Sequence, residues 1–168
     1  PRAIEAILPF TRDVRRTVRG LAIGALGDYR DERAARRLAE LVGSADERDS
    51  SSVLYAVGRS VGRNPDFRTI YDPALLAAAQ TVTFSPRHRS ELAANIGDRL
   101  TKVQAYLHIF RQPSADRSTS AEACRAHAAQ ELAELCPKQR LDAKRLAELT
   151  ADPGVDMAGL AAKLLSRE

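Results

Sequence analysis

Tryptophan is absent from this 168-residue chain, and only 5% of its residues are aromatic. Few β-branched residues accompany them, so nothing supports strands, and there is little material for aromatic cages or stacking platforms. No apolar run reaches the ~20 residues of a membrane-spanning helix, and no signal-peptide pattern opens the sequence. No Gly-rich phosphate loop occurs. The two cysteines, Cys124 and Cys136, stand 12 residues apart on one expected helix. That is roughly 18 Å at 1.5 Å per residue, too far for the ~7 Å limit on disulfide Cα atoms. Two unpaired thiols point to a reducing compartment, the cytoplasm. Net charge is only +4 and comes almost entirely from Arg. Residues 1–63 carry a small basic excess and residues 119–168 a small acidic one. Dedicated nucleic-acid binders show stronger, clustered basic stripes.

What is present is alanine and leucine, the best helix formers. Hydrophobic residues make up 44% of the chain, enough for a buried core. The order of elements reads as follows. Ala3–Leu8 forms a short helix that ends at Pro9. Thr11 or Asp13 caps a second helix with Val14, Val18, Leu21, Ala22, Ala25 and Leu26 inward, stopped at Gly27. Asp31-Glu32 opens a third, with Ala34, Ala35, Leu38, Leu41 and Val42 inward and Gly43 as stop. Arg48–Val61 forms a fourth, with Val53, Leu54, Val57 and Val61 inward, ended by Asn64-Pro65. A turn near Phe67–Tyr71 precedes a helix from Pro73 to about Val82. Ser85-Pro86 is a strong start signal. The helix it opens would run about 25 residues to Phe110 with a bend at Gly97. Residues 112–118 form a polar loop. Thr119 or Ser120 caps a helix to Cys136, and helices at Leu141–Leu149 and Pro153–Leu165 follow. The fold class is therefore all-α, with about seven to nine helices.

Two stretches repeat. Ala25-Leu26-Gly27 is followed 31 residues later by Ala56-Val57-Gly58. A period near 31 with paired helices is a solenoid signature, because one helix pair cannot bury its own apolar stripe. Residues 13–41 carry Asp13-Val14-Arg15, then Ala25-Leu26-Gly27, then Asp31-Glu32-Arg33-Ala34, then a Leu-rich helix. This pattern resembles the HEAT-repeat family in its short bacterial form, shared with phycobilin-lyase-type repeats. Asp152-Pro153-Gly154-Val155 with Ala158, Ala161, Ala162 and Leu165 resembles a repeat's first helix again. The resemblance implies a right-handed, armadillo-type α-solenoid of antiparallel helix pairs over residues 1–168. Its regular repeats would cover 3–62 and 141–165, with an irregular middle at 64–137. It also implies that Gly27 permits a left-handed turn and that Arg15 pairs with an Asp of the next repeat. Residues 3–8 read as a repeat's second helix and 153–165 as a first. The chain thus reads as beginning and ending mid-repeat, which implies a longer solenoid or ends that touch something else; the plainer reading is that the odd helices act as caps.

A solenoid exposes the concave surface made by its second helices. The expected function is a non-enzymatic interaction scaffold or adaptor, binding another protein or the rest of a longer chain. On the third helix Arg33, Arg36, Arg37 and Glu40 are the candidate contacts, with Tyr29 in the preceding turn. Arg12, Arg16 and Arg19 are candidates for phosphate or acidic-partner contacts; a solvated face paired with Asp13, Asp28, Asp31, Glu32 and Glu40 is the plainer reading. The alternative function is nucleic-acid binding on that Arg-rich face. The HEAT-like alkylpurine DNA glycosylases grip DNA in a basic groove, but the missing Trp and small net charge weigh against it. Cys124, His127 and Glu131 share one helix face at i, i+3 and i+7, yet a metal site needs a third or fourth ligand from another helix. Packing is the plainer reading, as it is for Cys124 with His127 as nucleophile and base. The His-Glu pairs of iron-binding HEAT hydroxylases are missing. No enzyme activity, metal or cofactor is expected.

Overall fold

The computed structural model describes residues 2–44, 47–81, 83–111 and 119–166, and every regular element among them is helical. There are ten α-helices among the described residues, where the sequence predicts seven to nine. They are α1 (Arg2–Ile7), α2 (Arg16–Leu26), α3 (Glu32–Ser44), α4 (Glu47–Arg63), α5 (Arg68–Gln80), α6 (Pro86–Ala94), α7 (Arg99–Arg111), α8 (Thr119–Leu135), α9 (Ala143–Thr150) and α10 (Met157–Ser166). Short 3-10 turns cover Leu8–Arg12, Pro65–Phe67 and Pro137–Gln139, each beginning at or next to a proline. None of these helices is long and apolar enough to cross a membrane. The chain divides into two compact units, residues 1–78 and 79–168.

In the first unit α2 packs on α4, and α3 lies against both. The inward face of α3 is the expected one: Ala34, Ala35, Leu38, Leu41 and Val42 are all buried. The stripe on α2 is rotated. Ala22, Ile23 and Leu26 are buried, whereas Val14 is 93% and Leu21 71% exposed, contrary to expectation. The cause is the close approach of α4 along the Gly20–Gly27 flank. A Cβ on Gly20 would lie 3.9 Å from Ser52 Oγ, and one on Gly27 only 2.6 Å from the Ala56 carbonyl oxygen. Gly27 itself has φ −63°, an ordinary right-handed conformation. Its role is therefore close helix packing and not the left-handed turn the family pattern implies.

Asp13 does not cap α2 directly; its Oδ1 accepts from the Arg15 backbone N–H, and Arg15 is the N-cap. Thr11 donates to the Leu8 carbonyl instead. Pro73 lies inside α5, which starts five residues earlier because the Pro65–Phe67 turn feeds directly into it. Tyr71 is fully buried, and its hydroxyl donates to Ser60 Oγ at 2.8 Å.

In the second unit α7 is central, packing on α6, α8, α9 and α10 with Val103, Tyr106, Leu107 and Ile109 buried. The Ser85-Pro86 start is as predicted, with Ser85 Oγ accepting from the His88 N–H. The single long helix to Phe110 is not. Residues 95–98 break it into α6 and α7. The Asn95 side chain donates back to the Glu91 carbonyl, and Asp98 Oδ2 accepts from the Thr101 N–H as a fresh cap. These side chains offer the backbone a competing partner, which favours a break over a bend. Asp142 caps α9 by accepting from the Arg145 N–H. The last helix begins at Met157, not Pro153, and buries Met157, Leu160, Ala161 and Leu164. Of the residues quoted for the repeat pattern, Ala161 is buried, whereas Ala158 and Ala162 are exposed. The expected polar loop at 112–118 lies outside the described residues, as do the side chains of Thr119 and Ser120 that would cap α8.

Candidate functional site

Helical spacing puts Arg33, Arg36, Arg37 and Glu40 on the outer face of α3, opposite its five buried apolar residues. The turn Leu8–Arg12 lies beside this face and encloses a groove of about 450 Å³. Its lining is Leu8, Pro9, Arg12, Arg33, Arg36, Arg37 and Glu40. Four guanidinium groups thus face one carboxylate, over an apolar floor from Leu8 and Pro9. A second groove of about 560 Å³ flanks α3 on its other side, lined by Glu32, Arg36, Asp66, Phe67, Thr69, Ile70 and Pro73. Arg36 belongs to both.

Each guanidinium on α3 is held by a local anchor. Arg33 bonds Asp31 in a two-point clasp at 3.1 and 2.9 Å and reaches Glu5 of α1 at 3.0 Å. That clasp, the side-chain hydrogen bonds first, holds the Asp31 carboxyl down to about 2 and raises Arg33. Arg36 bonds Glu32 one turn back. Arg37 is largely covered: its Nε and Nη2 donate to Thr11 Oγ1 at 3.0 and 2.9 Å, and Nη1 to Glu40 at 2.7 Å. Arg37 therefore ties α3 to the Leu8–Arg12 turn as well as facing the groove. Arg12 is exposed and has no carboxylate partner among the described residues.

The other sequence candidates lie elsewhere. Arg19 donates to Asp49 of α4 at 2.6 Å and to the Asp13 carbonyl at 2.8 Å, and Arg16 reaches the same Asp49 at 3.6 Å. Asp49 is 8% exposed, so this cluster joins α2 to α4. Arg15 clasps Asp13 in its own turn, holding that carboxyl down to about 2, and does not reach the next helix pair. The cross-pair contact implied for Arg15 is made by Arg19. Tyr29 is half-buried in the α2–α3 turn, and it does not line the groove. Asp28 beside it pairs with Arg59 and Arg63 of α4.

Among the described residues no group of three or more His, Cys, Asp or Glu is placed to hold a metal ion. His127 stands 3.9 Å from Glu131 and packs edge-on against Tyr106, whose hydroxyl is pushed up by burial. Neither Cys124 nor Cys136 is in a disulfide. Sequence reasoning missed Leu8 and Pro9, the apolar floor of the α3 groove. The one signal for them was the proline-interrupted end of the first helix, which reads as a stop and not as a wall. The chain matches no protein family, curated protein or solved structure.

Proposed function

We propose that this chain is a HEAT-like helical-repeat module whose α3 groove holds an acidic segment of a partner protein. The convergence of Arg12, Arg33, Arg36 and Arg37 on one groove with a Leu8–Pro9 floor is the observation that carries the reading. Guanidinium forks recognise carboxylates in two-point geometry, and local anchors hold these forks in place before a partner arrives. The exposed anchoring pairs are each worth only about 0–1 kcal/mol, so a partner carboxylate competes with them readily.

A right-handed solenoid of antiparallel pairs accounts for the spacing of the ties between helices. Arg33–Glu5, Arg37–Thr11, Arg19–Asp49 and Arg59–Asp28 join residues 28, 26, 30 and 31 positions apart. In a solenoid each residue meets its counterpart one repeat away, and the sequence period is 31. Cys124 and Cys136, neither in a disulfide, favour the reducing cytoplasm as the site of action.

The test is capture from a lysate by the immobilised chain and by an Arg12→Glu/Arg36→Glu variant, with bound proteins identified by mass spectrometry. These two exposed residues are chosen because Arg37 also supports the fold. The expected result is a protein set retained by the wild type and lost by the variant. Equal capture by both removes the groove as the binding face. Duplex DNA is run in parallel at low and moderate salt. Tight binding that collapses with salt and is lost in the variant would replace this reading with the nucleic-acid one.

A further inference from the structure

A separate groove in the second unit is built for a different kind of ligand. It encloses about 810 Å³ beside the end of α7, with α8 on one side and α9 on the other. That volume lies within the ~300–1,000 Å³ typical of small-molecule sites. Its wall is apolar: Phe110 from α7, Ala126 from α8, Ala143 and Ala147 from α9. Alanine at these places leaves room that a leucine would fill. Of the eight residues of α9 only Leu146 and Thr150 are buried, so the Ala143–Ala147 flank faces the groove without a protein partner.

Two cations stand at this wall. Arg111 ends α7 and Arg125 projects from α8; both line the groove and are half-buried. Neither has a carboxylate partner among the described residues. Glu122, one turn before Arg125, also lines the groove but is not within ion-pair distance of either. In the first unit, by contrast, Arg15, Arg16, Arg19, Arg33, Arg36, Arg37, Arg59, Arg63 and Arg68 each pair with an acid. Half-buried guanidinium groups without an acid partner can take a ligand's carboxylate through charge-assisted hydrogen bonds.

We propose that this groove binds a small amphipathic monocarboxylate, with its aliphatic or aromatic body on the Phe110–Ala147 wall and its carboxylate on Arg111 and Arg125. The apolar wall supplies most of the affinity through burial, and the two guanidinium groups fix orientation and select an anion. A neutral compound of the same shape binds more weakly by the loss of a charge-assisted hydrogen bond. This site is independent of the α3 groove and stands or falls without it.

The test uses the whole chain and two fluorescent probes, the anionic 1-anilinonaphthalene-8-sulfonate and the neutral N-phenyl-1-naphthylamine. The anionic probe is expected to bind saturably with one-to-one stoichiometry and to be displaced by decanoate. Arg111→Gln/Arg125→Gln is expected to weaken it about tenfold or more, the scale of a lost charge-assisted bond. The neutral probe should change by less than about twofold in that variant. Ala147→Phe, which fills the groove from an exposed position, should abolish both. Non-saturating binding, or equal losses for both probes in the double Arg variant, overturns the assignment. Should the Arg variant lose helical content, Ala147→Phe decides alone, and undiminished binding by it rules the groove out.

Discussion

Replacing Gly27 with alanine would place a methyl carbon 2.6 Å from the Ala56 carbonyl oxygen, 2.9 Å from its Cα and 3.1 Å from its carbonyl carbon. All three are backbone atoms of α4, so no side chain can rotate aside. Relief requires α4 to move off α2 by about 1 Å, to restore ordinary van der Waals separation. Overpacking of this kind costs about 1–3 kcal/mol. Alanine's better helix propensity returns about 0.5–1 kcal/mol. The net expectation is a loss centred on about 1 kcal/mol and at most about 2.5 kcal/mol. At about 4–8 °C per kcal/mol for a unit of 60–100 residues, the melting temperature should fall by roughly 4–8 °C at that centre. Gly58 is the control, since it occupies the equivalent place 31 residues later and a Cβ there meets nothing within 4 Å. Gly24 offers equally open space inside α2. Gly58→Ala and Gly24→Ala should each stabilise by about 0.5–1 kcal/mol. Thermal and urea unfolding followed by far-UV circular dichroism read all three. A Gly27→Ala variant as stable as Gly58→Ala would refute the claim that this glycine exists for close helix approach.

Three further outcomes follow from buried charge. Asp49, 8% exposed and bonded by Arg19 with Arg16 nearby, should cost about 1.5–3 kcal/mol when changed to Asn, whereas Asp13→Asn in its exposed pair should cost under about 1 kcal/mol; equal effects in urea titration would contradict the α2–α4 tie. Arg89 is 2% exposed, donates to the Ala79 carbonyl at 2.5 Å and leaves Nη1 unpartnered. Arg89→Met should therefore be neutral or stabilising, while Arg89→Ala opens a cavity worth about 2–4 kcal/mol, and calorimetry ranking Met as low as Ala would sink this. His108 is held below its ordinary 6.5, first by burial and then by Arg111 and Arg89. The unfolded chain takes up that proton first, so this contribution is complete above about pH 6.5 and declines as pH falls below it. His108→Gln should flatten the melting temperature between about pH 7 and 5, and an unchanged slope would assign it to other groups.

The all-α class was legible because alanine and leucine periodicity is a local property, and the inward face of α3 came out residue for residue, although the helix runs through Gly43 to Ser44. Phase failed where a neighbour decided it. On α2 the apolar position Leu21 satisfies the 3.6-residue spacing as well as Ile23 does. Only the arrival of α4 against Gly20 and Gly27 selects which set is buried, and that approach depends on residues 30 positions away. The broken helix at 95–98 failed for a different reason. Its pattern is helical throughout, but Asn95 and Asp98 carry side chains that bond the backbone in competition with the helix. The residue types were readable, while the outcome of the competition was not.

The same distinction separates the two sets of arginines. Arg33, Arg36, Arg37 and Glu40 follow one another at i, i+3, i+4 and i+7, so a single helix brings them together whatever the rest of the fold does. Arg12, Arg16 and Arg19 stand together in the sequence as candidate contacts, yet they diverge. Arg12 closes the Leu8–Arg12 turn and faces the α3 groove. Arg16 and Arg19 are the first and fourth residues of α2 and turn toward Asp49. A ridge read from sequence assumes one continuous helix, and the break after Arg12 removes that assumption. Where basic residues are spaced for one helix but lie across a turn, the acids of the next helix pair decide which of them stay free. Here a single buried carboxylate on α4 takes two arginines, and Arg12 alone of the three has no acid partner among the described residues.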